Sequence, residues 1–318
     1  MRKEREDKDM VALRKRKNVS MLRTRKRLRE ALVAYGFISP WLIGFVLFMG
    51  GPIVASLVLS FFRWKLIEPP VFVGLDNYAT MFTADPLFLQ SLKVTGLYVL
   101  IAIPAGQLLA LWLALLLNQK IRFLGFWRSL FYLPSVIGGV AVTVLWLWMY
   151  QPDYGIINSL LELVGLKGPN WLYSESWSLP ALMIKSLWGV GGSMVIYLAG
   201  LQGVPRELQE AAQVDGAGEA QMFFKITLPM LTPVIFFNVI MGIILGIQTF
   251  VEPYLMTMGG PSNTTLFLGL YLYQAAFRFL KMGYASAMAW IMFIIIMIVT
   301  LLQFKFSDRW VYYEMEER

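Results

Sequence analysis

The polar side chains that could bind a ligand lie in, or just beyond, an apolar run at residues 228–250. They are Asn238, Gln248, Thr249 and Glu252. A polar group inside a membrane is costly unless it has a partner, so these residues are candidates for a functional site. Their amide, hydroxyl and carboxylate groups could hydrogen-bond a ligand. For Asn238 and Gln248, a hydrogen bond between two helices explains the pattern equally well.

Several kinds of catalysis are excluded by the residue types that the chain lacks. It has no Cys, and so no thiolate nucleophile or Cys-ligated metal. It has no His, which is the usual general base near neutral pH and the commonest metal ligand. No Lys directly follows a Gly, so the phosphate-binding pattern Gly-x-x-x-x-Gly-Lys-Ser/Thr is missing. These absences exclude most familiar catalytic constellations and leave carboxylate, Lys or Ser chemistry open. We predict no catalytic site, metal or bound cofactor in this chain.

The charge of the 318-residue chain is unevenly distributed. Residues 1–30 hold 13 Lys and Arg against 5 Asp and Glu, which accounts for the whole net charge of +8. The rest is neutral, and the chain is 58% hydrophobic and 15% charged, with a mean hydropathy of +0.60. Because soluble domains carry roughly 25% charged residues, this composition predicts a polytopic membrane protein. We expect it to bind membrane lipid and no nucleic acid.

Six apolar stretches are long enough to cross a bilayer, which takes roughly 20 residues in a helix. They are residues 36–61, 94–117, 129–149, 180–201, 228–250 and 284–304. Only the fourth contains a charged residue, Lys185, whose long stem could reach the interface from near the start of the span. Since lipid leaves no water for bare backbone groups, we predict an all-α fold.

Positive charge predicts the orientation. With the N-terminus inside, the inner segments hold 21 Lys and Arg and the outer segments hold 6. This bias places both termini in the cytoplasm of a bacterial-type plasma membrane. We expect a basic cytoplasmic segment at 1–30 and a transmembrane domain at 31–318.

The inner loop at 203–227 has a helix–turn–helix pattern. Pro205 suits the first turn of a helix, with Glu207 near the positive end of its dipole. Gly216 and Gly218 then stop that helix, and a second short amphipathic helix follows before Pro229 opens the next span. Taken alone, this pattern is most typical of an amphipathic surface helix.

The loop resembles the cytoplasmic signature of binding-protein-dependent ABC importer permeases. The matching residues are Glu210-Ala211-Ala212, Asp215-Gly216 and Ile226-Thr227-Leu228-Pro229. Their spacing is kept from the first residue to the last. The resemblance implies the type I ABC importer permease fold, with six spans and a cytoplasmic coupling helix–turn–helix.

Further residues are similar to the carbohydrate-uptake branch, which includes maltose- and glycerol-phosphate-type permeases. They are Phe72-Val73-Gly74-Leu75-Asp76-Asn77-Tyr78, Gly259-Gly260-Pro261 with Thr264-Thr265, and Gly283-Tyr284-Ala285-Ser286-Ala287. The resemblance implies a second permease subunit in a heterodimer. It also implies a cytoplasmic ATPase dimer that uses ATP and Mg²⁺, and an extracytoplasmic binding protein that delivers the solute.

The resemblance also assigns roles to residues of the loop. Glu210 would contact a groove of the ATPase, and Ala211 and Ala212 would permit close approach. Gly216, which follows Asp215 in the motif, would allow the turn.

A sugar offers hydroxyls around its rim and flatter apolar faces, so its sites pair polar groups with aromatic rings. Asn238, Gln248 and Glu252 are the polar candidates. The candidate stacking rings are Trp188, Tyr197 and Trp290. For each ring, a place in the aromatic belt at the membrane interface or packing between helices is the commoner explanation.

Two other functions compete with an importer subunit. A stand-alone secondary sugar transporter would need coupling carboxylates or His inside the spans, and the predicted spans have none. A membrane-embedded transferase would need clustered Asp, Glu or His at an interface, and the sequence shows no such cluster.

Overall fold

The protein, described here as a computed structural model over residues 30–312, is built almost entirely from helices. Four helical segments are long and apolar enough to cross a membrane: Glu30–Leu59, Pro86–Leu117, Glu219–Met256, which is interrupted at 248–250, and Met282–Ser307. Two bent pairs also qualify by length and composition: Leu124–Val136 with Gly139–Met149, and Ser178–Leu187 with Gly191–Gln202. Counted as one span each, these pairs complete the six predicted spans and confirm the predicted all-α fold.

Shorter elements connect the spans. They are strands β1 (Phe62–Arg63) and β2 (Val71–Phe72) and the helices Asp76–Thr83, Ile156–Leu163, Arg206–Val214, Val251–Met256 and Leu268–Tyr273. Three π-helical turns lie at Val46–Gly50, Phe223–Thr227 and Gln274–Arg278.

The chain divides into two compact units between Val58 and Leu59. The first span belongs almost wholly to one unit, and the other elements named above belong to the second. Apart from Glu30, the predicted basic segment 1–30 lies outside the described residues, as do residues 313–318. The extent of the transmembrane domain, 31–318, stays a prediction.

The loop after the first span is a short antiparallel hairpin. Phe62 pairs with Phe72 and Arg63 pairs with Val71. The Asn77 side-chain amide donates to the carbonyl of Phe62 at 3.0 Å and fixes the following helix against the hairpin. Gly283 lies so close that a Cβ there would be 1.8 Å from the Phe62 carbonyl oxygen. Only glycine fits at this contact with the sixth span.

The third span is broken, where the sequence predicts one helix over 129–149. Its two halves meet at 98°. Ile137 and Gly138 take extended backbone angles there, with ψ of 133° and 134°. The kink follows Pro134, which removes a helical hydrogen bond. The fourth span bends by 42° at its glycine cluster, where a Cβ on Gly191 would lie 2.3 Å from the Phe131 carbonyl oxygen.

The fifth span begins earlier than predicted. Residues 219–222, expected to belong to a separate short helix, run without a break into the membrane helix. Pro229 has no N–H to donate, and the π-helical turn Phe223–Thr227 precedes it, with the Leu228 N–H donating to the Phe223 carbonyl. This change of register lets the helix continue through the proline. In place of the two short helices predicted for the loop, the structure has one short helix, Arg206–Val214, followed by a long one.

The second span is the central helix of the larger unit. It packs against the second half of the fourth span and against the fifth span. Gly242 and Gly246 lie one turn apart on the fifth span, and a Cβ at either would come within 3.1 Å of Ile103. Small residues at this spacing let two membrane helices approach closely.

Candidate functional site

The loop helix Arg206–Val214 presents its side chains to solvent, and none of its residues is buried. Glu210 and Ala211 are exposed, and Ala212 is half-buried. Two apolar side chains on the same helix are also exposed, Leu208 at 46% and Val214 at 88%. A short helix with uncovered apolar groups has the features of a surface that another protein's groove can receive.

A Schellman motif ends this helix at the position that the sequence predicts. Gly216 is left-handed, with φ of +80°, and its N–H donates to the Gln213 carbonyl at 3.0 Å. The Ala217 N–H donates to the Ala212 carbonyl at 2.9 Å. These two bonds satisfy the last carbonyls of the helix, and the left-handed residue strongly favours glycine. Asp215 lies exposed between the helix and the turn.

Two predicted sugar contacts, Tyr197 and Asn238, are buried and belong to one hydrogen-bonded chain. The Tyr197 hydroxyl donates to Gln107 Oε1 at 2.9 Å, and Gln107 Nε2 donates to the Asn238 backbone carbonyl at 3.3 Å. The Asn238 side chain donates to the Val234 carbonyl of its own helix. This series of hydrogen bonds joins the second, fourth and fifth spans. Tyr197 is 1% exposed, so its ring packs among helices in this conformation.

A buried ion pair joins the fourth and fifth spans. Lys185 Nζ lies 2.7 Å from Glu252 Oε1, and the two side chains are 7% and 32% exposed. Lys185 is in the last turn of Ser178–Leu187 and Glu252 is in the first turn of Val251–Met256, so each charge also complements its helix dipole. The Lys185 ammonium therefore has a carboxylate partner within the protein, which the sequence analysis did not predict.

Two of the remaining predicted contacts lie at the breaks in these two spans, and the third lies on the sixth span. Gln248 is exposed just after the helix Leu228–Ile247 ends, and its amide donates to the Ile244 carbonyl at 3.2 Å. Trp188 lies half-exposed at the bend of the fourth span, edge-on to Trp146 with ring centroids 5.9 Å apart. Trp290, on the sixth span, packs edge-on against Phe293.

The structure thus joins two of the polar candidates, Asn238 and Glu252, to partners that the sequence analysis did not assign to the site. Tyr197 and Asn238 are joined through Gln107, the one amide in the second predicted span. Glu252 is joined to Lys185, the one charge in the fourth predicted span. Gln107 and Lys185 are each the lone amide or charge in an apolar run, and this feature of the sequence could have identified both as partners.

The glycine-proline motif after the fifth span forms a compact turn. Gly259 has φ of +94°, and the Thr265 hydroxyl donates to the Gly260 carbonyl at 2.7 Å. The Thr264 hydroxyl is 2.8 Å from that of Ser178, which begins the fourth span. The motif therefore ties the end of the fifth span to the start of the fourth.

Comparison with known families identifies the same family that the loop motif indicates. Residues 102–312 match the family described as "Binding-protein-dependent transport system inner membrane component". The chain belongs to this family. It is a multi-pass membrane protein and a carbohydrate-uptake ABC permease, as the resemblance implies. A permease of this family is a transport component and not a catalytic subunit.

Two relatives and one solved structure illustrate the similarity. The chain is 46% identical to the probable ABC transporter permease protein YesP of Bacillus subtilis, covering 94% of this chain and 97% of YesP. It is 36% identical to the sulfoquinovosyl glycerol transport system permease protein SmoG of Agrobacterium fabrum, covering 86% and 89%. A bacterial alginate ABC transporter, solved with an alginate pentasaccharide-bound periplasmic protein, shares the fold with a TM-score of 0.74. That match has 24% identity and covers 89% of this chain and 96% of the other.

Proposed function

We propose that this chain forms one half of a membrane pathway for a sugar or oligosaccharide. An extracytoplasmic binding protein delivers the solute, and a second, different permease subunit completes the pathway. A dimer of separate cytoplasmic ATPase subunits, which bind ATP and Mg²⁺, drives transport. Both termini lie in the cytoplasm, in accord with the distribution of Lys and Arg.

The exposed loop helix is the observation that carries this proposal. Leu208 and Val214 leave apolar surface in water, which is unfavourable unless a partner covers it. Glu210 on the same helix supplies a charge for the contact, and Ala211 leaves room for a groove wall. Because the Schellman motif at Gly216 fixes where the helix ends, the helix can transmit a movement of the ATPase without unfolding at its C-terminus.

The sugar site is proposed at the breaks of the fourth and fifth spans. Interrupted helices expose backbone groups and polar side chains at membrane depth, and this is tolerated where they line a cavity or the protein interior. Glu252 and Gln248 would accept and donate hydrogen bonds to hydroxyls, and Trp188 would stack on an apolar face. Trp290, Tyr197 and Asn238 are expected to contact the sugar in a conformation that opens the helix packing.

Two variants test the coupling role. Glu210→Lys reverses the charge on the loop helix, and Gly216→Pro is incompatible with the left-handed backbone that ends it. In the assembled transporter each should reduce binding-protein-dependent sugar uptake at least ten-fold while the protein still inserts in the membrane. Glu162→Lys is the matched control, because it makes the same charge change on an exposed residue outside the loop.

Wild-type uptake in Glu210→Lys or Gly216→Pro would contradict the coupling assignment. A separate measurement tests the stand-alone secondary transporter. If the purified chain alone in liposomes moved sugar along a proton or sodium gradient, the proposal of an ATP-driven subunit would be wrong.

A further inference from the structure

A cavity of about 860 Å³ lies beside the hairpin, between the starts of the second and sixth spans. Its volume is in the range of small-molecule sites. The charged and tyrosine side chains that line it include Arg63, Lys65, Asp85, Tyr271, Lys281 and Tyr284. It is separate from the loop helix and from the Lys185–Glu252 pair, neither of which lines it.

Asp85 holds the inner wall of this cavity in place. Its Oδ2 accepts hydrogen bonds from the hydroxyls of Tyr271 and Tyr284, each at 2.5 Å. Its Oδ1 accepts from the N–H groups of Leu87 and Phe88, which begin the second span. Burial, and then the Asp85 carboxylate, raise the pKa of Tyr271, so this hydroxyl stays protonated and donates. Both Asp85 oxygens are thus occupied by donors of the protein, and in the described part of the chain Asp85 forms no ion pair with the lysines of the cavity.

Positively charged residues are concentrated at this cavity, although the predicted outer side of the membrane has few of them. The side predicted to be outer carries only 6 Lys and Arg, and Arg63, Lys65 and Lys281 among them line this one cavity. Arg63 pairs with Asp76 at 2.8 Å. Over residues 30–312 the structure shows no ion pair for Lys65 or Lys281. The cavity therefore has two exposed ammonium groups available to an anion.

The starts of two membrane helices line the cavity. Pro86 and Leu87 begin the second span and Tyr284 lies in the first turn of the sixth, and all three line it. Trp64 and Phe279 line it as well. Aromatic rings are enriched at the level where apolar spans meet the headgroups. A ligand seated here would have its charged group near the lysines and its apolar part along the starts of two membrane helices.

We propose that this cavity binds the phosphate of an anionic phospholipid, with Lys65 and Lys281 contacting the headgroup. The bound lipid would link the hairpin to the starts of the second and sixth spans. This site is independent of the proposed transport function, because it involves neither the loop helix nor the sugar contacts.

Native mass spectrometry of the full-length protein in detergent, with any subunits that purify with it, tests the proposal. The probes are phosphatidylglycerol and phosphatidylcholine with the same acyl chains. Wild-type protein should bind phosphatidylglycerol more tightly. Since a basic residue near an anionic lipid contributes about 1 kcal/mol, or roughly five-fold in affinity, Lys65→Gln with Lys281→Gln should weaken that binding about 25-fold. Lys65→Arg with Lys281→Arg should preserve it.

The matched control is Lys93→Gln with Lys167→Gln, which removes two exposed lysines on the same predicted side but outside the cavity. This variant should bind phosphatidylglycerol as the wild type does. An equal loss in the control and in the cavity variant would overturn the proposal, as would equal binding of the two lipids by wild-type protein. Displacement of the lipid by millimolar inorganic phosphate would overturn the assignment to a lipid and favour free phosphate.

Discussion

Replacing Glu252 by Gln should destabilise the protein more than replacing Lys185 by Met. Removing one partner of a buried ion pair costs about 3–5 kcal/mol, because the remaining charge is left in a poorly solvated place. The Lys185 side chain is 7% exposed and that of Glu252 is 32% exposed. An unpaired Lys185 ammonium therefore has almost no access to water, and we expect Glu252→Gln to cost about 3 kcal/mol or more. An unpaired Glu252 carboxylate reaches solvent, so Lys185→Met should cost about 1–2 kcal/mol.

Equilibrium unfolding by SDS in mixed micelles measures these differences on purified protein. The double variant Lys185→Met with Glu252→Gln should lose less stability than the sum of the two single variants, because it leaves no buried charge. The matched control is the exposed pair Arg63–Asp76, with side chains 63% and 53% exposed, whose loss should cost under about 1 kcal/mol. The reasoning is refuted if Lys185→Met costs more than Glu252→Gln, or if the two single effects simply add.

Three further outcomes follow from local geometry. Gly283→Ala should lower stability by about 1–3 kcal/mol in thermal unfolding, since a Cβ there would be 1.8 Å from the Phe62 carbonyl oxygen; unchanged melting would contradict this contact. Asn158→Ala should cost about 1–3 kcal/mol, because the Trp171 indole N–H loses its acceptor at 2.7 Å, whereas exposed Asn118→Ala, where the backbone is right-handed, should cost little. Gln248→Leu should change the KM for sugar uptake and leave ATPase assembly intact; unchanged uptake kinetics would remove Gln248 from the proposed sugar site.

The number and type of the spans could be predicted from the sequence because hydropathy depends on composition alone. The breaks in the third and fourth spans follow Pro134 and lie at Gly191, but these residues alone did not predict them. The 98° angle after Pro134 could not be predicted from the sequence, because the size of a kink depends on which neighbour packs against it. Gly191 against the Phe131 carbonyl is one such contact, and it joins segments far apart in the chain.

The sequence singled out polar and aromatic candidates but did not show which residues contact one another. Glu252 and Lys185 each stood out as costly groups, yet their contact joins residues 67 positions apart and depends on the placement of two broken spans. Tyr197 stood out as an aromatic in a span, but sequence spacing did not show that its hydroxyl meets Gln107. The loop motif was easier, since a helix end at Gly216 is decided by local backbone conformation.

The unbroken helix from Glu219 to Ile247 has a mechanical consequence. It is roughly 44 Å long at 1.5 Å per residue, begins just after the turn at Gly216 and ends five residues before Glu252. A tilt of about 5° at the loop end would displace the far end by about 4 Å, given that length. The π-helical turn at Phe223–Thr227 lies within this helix, and the interruption at residues 248–250 separates it from the Lys185–Glu252 pair. Stiffening either point would change how far a small movement of the loop is carried along the fifth span.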